Sequence, residues 1–339
     1  MITLGYYYEK TQKKENIYQG PVSSFDENMF QGLKNDVENS LINRKSKNKE
    51  GDIRIHQNIS HDENQFVRGH VLPHYIIIGE MKCGTSAVAK MLNDIYPNVK
   101  AKRGESHYFN NERFYPRGIE WYKNSLPEMT HPNDLVAEVT PGYFRNPYSA
   151  ERILRDTPKS KFILVACDPV RRTGSDFVHC VTTGLHDDIP RGYRFPIDHL
   201  LIFKNSSLNE GHRIIQSSVY AKNMERWLQL FPKNQILVVN GDDLYTSPLS
   251  IAKKVEKFLA LPPLANDRTF IKQPGSNLYQ WKGYSGRLSP RMYDKGRKHP
   301  ETKDKVAFLA SLLKKYFIPW NERFFQQIGE KFDWKMNVL

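Results

Sequence analysis

Apolar positions along the chain fall into two rhythms. Tyr75, Ile76, Ile77 and Ile78 form an unbroken apolar run, the pattern of a strand buried on both faces. From Thr85 onward, Ala87, Val88, Met91, Leu92 and Ile95 recur at helical spacing, with Thr85 or Ser86 as the predicted N-cap. The same alternation returns along the chain. Strands are predicted at 135–139 (LVAEV), 162–166 (FILVA) and 236–239 (ILVV). Helices are predicted at 119–126, 149–156, 217–231, 249–259, 302–316 and 321–328, with Pro232 stopping the third of them. Residues 99–111 lack a helical period and read as a loop with a short extended piece. Short apolar strands alternating with helices predict an α/β fold, a central parallel sheet covered on both faces. Ligands of such sheets sit at the carboxyl ends of the strands, where Lys82 and Asp168 both fall.

The first seventy residues break this rhythm. Residues 1–70 are rich in Asn, Lys, Glu, Asp, Ser and Gln, which predicts a disordered or loosely packed segment ahead of one domain at 71–339. A few short helices lying on that domain are the alternative. The chain has 339 residues, 39% of them hydrophobic, enough for one ordinary core. Lys and Arg number 50 against 37 Asp and Glu, a formal net charge of +13, so an anionic partner is expected. Nucleic acid fits poorly, because no basic sheet interleaved with aromatics and no recognition helix is visible. The three cysteines, Cys83, Cys167 and Cys180, lack CxxC or zinc-like spacing, so neither a disulfide framework nor a metal site is expected, and at least one thiol is left free. Read alone, the sequence shows no signal peptide and no membrane-spanning run. The sequons at Asn58 and Asn205 occur at about the frequency of chance.

Three loops carry candidate chemistry. In 79–84 (GEMKCG), Lys82 stands between strand and helix, where free N–H groups and the helix dipole converge on an anion. A nucleotide-hydrolase loop would place its lysine after the second glycine, GxxxxGK[ST], but Lys82 precedes Gly84 and Thr85. The second loop, CDPVRRTGS (167–175), follows the strand FILVA. The third, KGRKHP (295–300), is basic, and Gly296 lets backbone approach an anion.

In order, GxxKxGT, ESHYF, GIEWY, EVTPGYF, CDPVRR–S, SSVYAKNMERWLQLFP, KGRKHP and FIPWNERFFQQIGEKFDW resemble the heparan sulfate glucosamine 3-O-sulfotransferase family, from His74 to Trp334. The resemblance implies a P-loop-like sulfotransferase fold. It implies 3′-phosphoadenosine-5′-phosphosulfate (PAPS) as sulfuryl donor without a metal, the anionic polysaccharide heparan sulfate as acceptor, and the Golgi lumen as location. Sulfuryl transfer needs a base for the attacking hydroxyl and positive charge at the leaving phosphate. The resemblance makes Glu105 that base, with His107 beside it, and Lys82 the neutralising charge. Cys83, Gly84, Thr85 and Ser86 would cradle the 5′-phosphate. Cys167, Arg172 and Ser175 stand at the 3′-phosphate motif, Tyr279 near the adenosine, and Lys295, Gly296, Arg297, Lys298 and His299 close over it. Glu138, Val139, Thr140 and Pro141 stand at the acceptor.

Some positions depart from the family. Val139 replaces a lysine, and Ser86 and Cys167 each replace an arginine. A family disulfide before KGR is absent, with Gln280 at its first position and Ser289 or Leu288 near its second. Each lost charge-assisted contact removes roughly 1.5–3 kcal/mol, so two weaken binding about a hundredfold or more. The first expectation is an active 3-O-sulfotransferase. The alternative is an impaired paralogue that binds heparan-like glycan or the desulfated nucleotide (PAP) without transfer.

Overall fold

Five parallel strands carry the site. The computed structural model describes residues 68–183, 201, 206–276, 278–290 and 303–336, all within the compact unit Glu63–Leu185 and Ile189–Leu339. The expected N-terminal segment up to residue 67, both sequons and the 295–300 loop lie outside the described residues. In chain order, β1 (Gly69–His70), β2 (Tyr75–Gly79), α1 (Thr85–Ile95) and β3 (Val99–Ala101) come first. Next are α2 (Ile119–Asn124), β4 (Glu128–Met129), β5 (Leu135–Val139), α3 (Ser149–Asp156), β6 (Lys161–Ala166) and α4 (Pro169–Thr183). Then follow α5 (Arg213–Gln216), α6 (Tyr220–Leu230), β7 (Ile236–Asn240), α7 (Asp243–Thr246) and α8 (Pro248–Leu259). The hairpin β8 (Phe270–Lys272) and β9 (Tyr279–Trp281) and the helix α9 (Lys303–Ile328) complete the order.

The sheet order is β3-β5-β2-β6-β7, every pair parallel, with Ile77 opposite both Val139 and Ile163 and with Ala166 opposite Asn240. β2 is buried at all five positions, as its unbroken apolar run requires of a central strand. β1 pairs with β4 in a separate two-stranded ladder, so ordered structure begins within the polar segment expected up to residue 70. On α6, Tyr220, Met224 and Trp227 face the core, and the indole N–H of Trp227 donates to the Phe144 carbonyl at 3.1 Å.

Two helix expectations change. The helix expected over 217–231 is two, α5 and α6, separated at Ser217, Ser218 and Val219. The helices expected over 302–316 and 321–328 are one, α9, which runs through Pro319. Leu309, Leu313, Phe317, Asn321 and Phe324 are buried and form one continuous stripe across the proline, while Pro319 itself is exposed. Each buried apolar side chain contributes about 1.5–3 kcal/mol, which together exceeds the roughly 3 kcal/mol cost of an interior proline.

The missing family crosslink before KGR has a polar substitute. Gln280 donates to the Ser289 carbonyl at 2.6 Å, and Ser289 Oγ accepts from the Trp281 N–H at 3.1 Å. The resemblance puts Gln280 at the first position and Ser289 or Leu288 near the second, and Gln280 and Ser289 are neighbours.

Candidate active site

The loop between β2 and α1 is held at nearly every residue. Glu80 N–H bonds the Val165 carbonyl at 2.8 Å, Arg172 Nε donates to the Met81 carbonyl at 3.2 Å, and Cys83 N–H closes onto the Glu80 carbonyl at 3.1 Å. Lys82 lies between these anchors with φ of +75°, a left-handed backbone that non-glycine residues adopt at a cost of about 1 kcal/mol or more. Gly84, at φ +94°, is the true N-cap of α1, and a β-carbon there would meet Leu244 Cδ1 at 2.5 Å. Thr85, a predicted cap, is instead the first helical residue and is buried, while Ser86 is exposed. α1 has no side-chain cap and no acid in its first turn, so its leading N–H groups keep their positive field. Together with Lys82, that donor set fits a phosphate or sulfate group.

The cysteine expectation is overturned here. Cys83 and Cys167 form a disulfide with a Cα–Cα distance of 5.3 Å, across 84 residues of sequence, and Cys180 is the free, buried thiol. The pairing was invisible to spacing rules because only the sheet brings the ends of β2 and β6 side by side. Cys167 is therefore half of a crosslink beneath the loop.

The segment after β3 presents the candidate base. Glu105 and His107 pair at 3.1 Å between Oε2 and Nε2, each side chain a little over 40% exposed. The hydrogen bond to Glu105 holds the His107 imidazole above its ordinary 6.5, burial opposing this and the charge of Glu105 adding to it. A raised folded value means that this pairing stabilises the protein fully below the ordinary value and is lost as pH climbs through the raised one. His107 is expected to titrate above 6.5 by NMR, and in Glu105→Gln its midpoint should fall. An unchanged midpoint would mean the pair does not form.

Beneath this pair lies a buried polar core. Glu138 is fully buried. Its Oε1 accepts from Ser106 Oγ at 2.7 Å and from the Thr140 hydroxyl, and its Oε2 accepts from Tyr122 OH at 3.0 Å. Thr140 Oγ1 in turn accepts from the backbone N–H of Ser106, at 3.1 Å, and of His107. Tyr143 OH meets Ser106 Oγ at 2.8 Å. Burial pushes the Glu138 carboxyl upward, while its hydroxyl donors hold it down. Glu138 and Thr140, expected at the acceptor, are buried and bond Ser106 and His107 of the Glu105 segment. Pro141 is buried beside them, and Val139 is 8% exposed at the end of β5.

On α4 the expected phosphate motif divides in two. Asp168 caps the helix, Oδ1 accepting from Val170 N–H at 2.9 Å and Oδ2 from Met336 N–H at 2.5 Å. Arg172 is wholly buried: Nη1 donates to Ser218 Oγ at 2.7 Å and to the Ile214 carbonyl at 2.9 Å, and Nη2 to Asp176 at 2.8 Å. Arg172 was expected at the 3′-phosphate; here all three of its guanidinium nitrogens donate to protein groups. Ser175, three residues on, is half-buried. One turn on, His179 feels both halves of the site. Burial and then the Lys82 ammonium push its imidazole down, while Asp176 and Glu105 pull it up. Sequence reading missed His179; its place four residues after Ser175 on α4 puts both on one face.

Lys82 and Glu105 follow β2 and β3, Val139 ends β5, and Ser175 lies on α4, the helix that follows β6. Tyr279 opens β9, half-buried, opposite Lys272. Lys295, Gly296, Arg297, Lys298 and His299 lie outside the described residues. Among the described residues no group of three His, Cys, Asp or Glu is placed to hold a metal, and no helix is long and apolar enough to cross a membrane.

Known proteins share this arrangement. Residues 72–278 match the family model described as sulfotransferase domain. The chain is 34% identical over 264 residues to heparan sulfate glucosamine 3-O-sulfotransferase 5 of Mus musculus and of Homo sapiens, covering 78% of this chain and 74% of each relative. It is 33% identical over 268 residues to heparan sulfate glucosamine 3-O-sulfotransferase 3B1 of Homo sapiens, covering 78% of this chain and 65% of the relative. A sulfotransferase from Alicyclobacillus acidocaldarius superposes over 77% of this chain and 98% of its own with a TM-score of 0.52 at 16% identity, a likeness of fold. A loop built for an anion at the edge of this sheet and a likeness that runs through most of the chain lead to one conclusion: the chain is a sulfotransferase and belongs to the heparan sulfate glucosamine 3-O-sulfotransferase family.

Proposed function

We propose that the chain transfers a sulfuryl group from PAPS to the 3-hydroxyl of a glucosamine in heparan sulfate. The observation that carries this reading is the half-exposed Glu105–His107 pair, footed on buried Glu138 and within the electrostatic reach of His179 that Lys82 also occupies. When bound, PAPS supplies an activated sulfuryl group on a phosphate leaving group. Lys82 and the leading N–H groups of α1, with Thr85 and Ser86, would hold its 5′ end, and Ser175 its 3′-phosphate. Glu105 takes the proton of the attacking hydroxyl, and His107 orients that carboxylate. Lys82 offsets negative charge at the sulfuryl oxygens and the leaving oxygen. The net charge of +13 favours a polyanionic acceptor, and the relatives named for 3-O-sulfation of heparan sulfate support this one. A disulfide beneath the loop suits an oxidising lumen, so we place the reaction in the Golgi, as the family resemblance implies.

A second reading, donor or glycan binding without transfer, is favoured by Val139, which leaves the end of β5 without a cation. One experiment separates the two. The purified chain is incubated with labelled PAPS and N-sulfated heparan sulfate, and the product is digested to disaccharides. Label at the 3-O position is the expected result. Label at another hydroxyl corrects the position, and PAP binding with no label supports the second reading.

A further inference from the structure

The sulfuryl-donor loop is tied to its sheet by a covalent bond at the residue next to Lys82. Cys83 is 3% exposed and Cys167 fully buried, and the disulfide joins the loop after β2 to the end of β6. Tyr220 reinforces both ends: its hydroxyl donates to the Cys167 carbonyl at 2.8 Å and lies 3.5 Å from Cys83 Sγ. On the other side Gly241 lies so close that a β-carbon there would collide with the Cys83 carbonyl, and Gly241 N–H bonds the Ala166 carbonyl at 2.6 Å. Cys83 is thus gripped by its side chain and by the glycine packed against its carbonyl, which fixes the backbone on the C-terminal side of Lys82. Arg172, through the Met81 carbonyl, fixes the other side. Lys82 sits between them in a left-handed conformation that an unanchored loop would relax.

We propose that the Cys83–Cys167 disulfide is a positioning element for Lys82 and the 5′-phosphosulfate cradle, so that affinity for a nucleoside 3′,5′-bisphosphate donor depends on the bond being oxidised. This rests on the sulfotransferase reading of the loop. Opening the bond with dithiothreitol moves two electrons from the reagent's thiols into the S–S bond. The reagent closes to its cyclic disulfide, and its two protons end on the Cys83 and Cys167 sulfurs. Both sulfurs are buried, so reduction requires the loop to lift. By linkage, a ligand that favours the tied loop makes the bond harder to reduce, and because reduction goes through the lifted loop, holding the loop down also slows it.

The test uses the full chain and PAP as probe. Thiol titration in denaturant should find one thiol before reduction and three after it; three before reduction would overturn the proposal outright. Calorimetry should show PAP bound about tenfold more weakly by the reduced chain and by Cys83→Ala/Cys167→Ala, the double variant being indifferent to dithiothreitol. KM for PAPS should rise accordingly while KM for the glycan stays fixed, and saturating PAP should slow the appearance of the two thiols. Equal PAP affinity in both states, with reduction unaffected by PAP, would leave the bond a mere stabiliser and overturn the proposal. If the double variant fails to fold, the reduced wild-type chain still gives the comparison. Absence of PAP binding in either state would instead bring down the sulfotransferase reading beneath it.

Discussion

Glu105→Gln is expected to lower the rate of sulfuryl transfer by about 10²–10⁴-fold, the range a positioned general base contributes, with little change in PAP affinity. The substitution keeps the shape of the side chain and its capacity to accept a hydrogen bond from His107, but removes the basic lone pair. Among the described residues, the carboxylates of Glu138 and Asp168 are both committed elsewhere. Glu138 lies 0% exposed with both oxygens committed to hydroxyl donors, and Asp168 caps α4. His107 is held above its ordinary value by Glu105 itself, so it is a poorer base while that partner stays ionised. Radiolabel transfer and calorimetric PAP binding, measured on the same preparation, make the check. A variant within tenfold of the wild-type rate would remove Glu105 from this role. Loss of PAP binding along with transfer would show that the variant had damaged the cradle and not the proton acceptor.

The sheet was legible where its strands are short apolar runs bounded by loops, as at 75–78, 162–166 and 236–239, a pattern that fits strands buried on both faces. Loop chemistry was legible where charge and glycine spacing stand close in sequence, as in Lys82, Gly84 and Thr85. What escaped was contact across the fold. The pairing of Cys83 with Cys167 depends on β2 lying beside β6, which no spacing rule encodes across 84 residues. The fate of Arg172 depends on Asp176 of its own helix and on Ser218 and the Ile214 carbonyl, which come from one distant part of the chain. Glu138 looked like a ligand because it follows the pattern of a motif. Its partners Ser106 and Tyr122 turn it into a foundation. Local pattern identifies which residues matter here, and tertiary contacts decide whether they face the ligand or hold those that do.

Arg172→Met makes that distinction measurable. Arg172 is 0% exposed, donates to Asp176 at 2.8 Å, and lies 3.9 Å from Glu80, whose Oε2 has no hydrogen-bond partner. Removing the guanidinium leaves Asp176 and Glu80 buried without their cation and strips the Met81 carbonyl, Ile214 carbonyl and Ser218 of a donor. Breaking one side of a buried ion pair costs about 3–5 kcal/mol. Urea unfolding should therefore show a loss of that size, and Arg172→Lys, which keeps the charge but not the five-donor fork, should fall between the two. The loss should be strongly non-additive with Asp176→Asn, because the two groups share one network. A phosphate ligand would behave otherwise: the variant would keep its stability and lose PAP affinity by a hundredfold or more. With the observed bonds, the expected result is the reverse, a much less stable protein that, at temperatures where it remains folded, loses about tenfold in PAP affinity through the freed Met81 anchor and stays well short of the hundredfold loss of a direct phosphate ligand. Stability that survives the substitution would place Arg172 back among the donor-binding residues and would require its contacts with Asp176 and Ser218 to be replaceable.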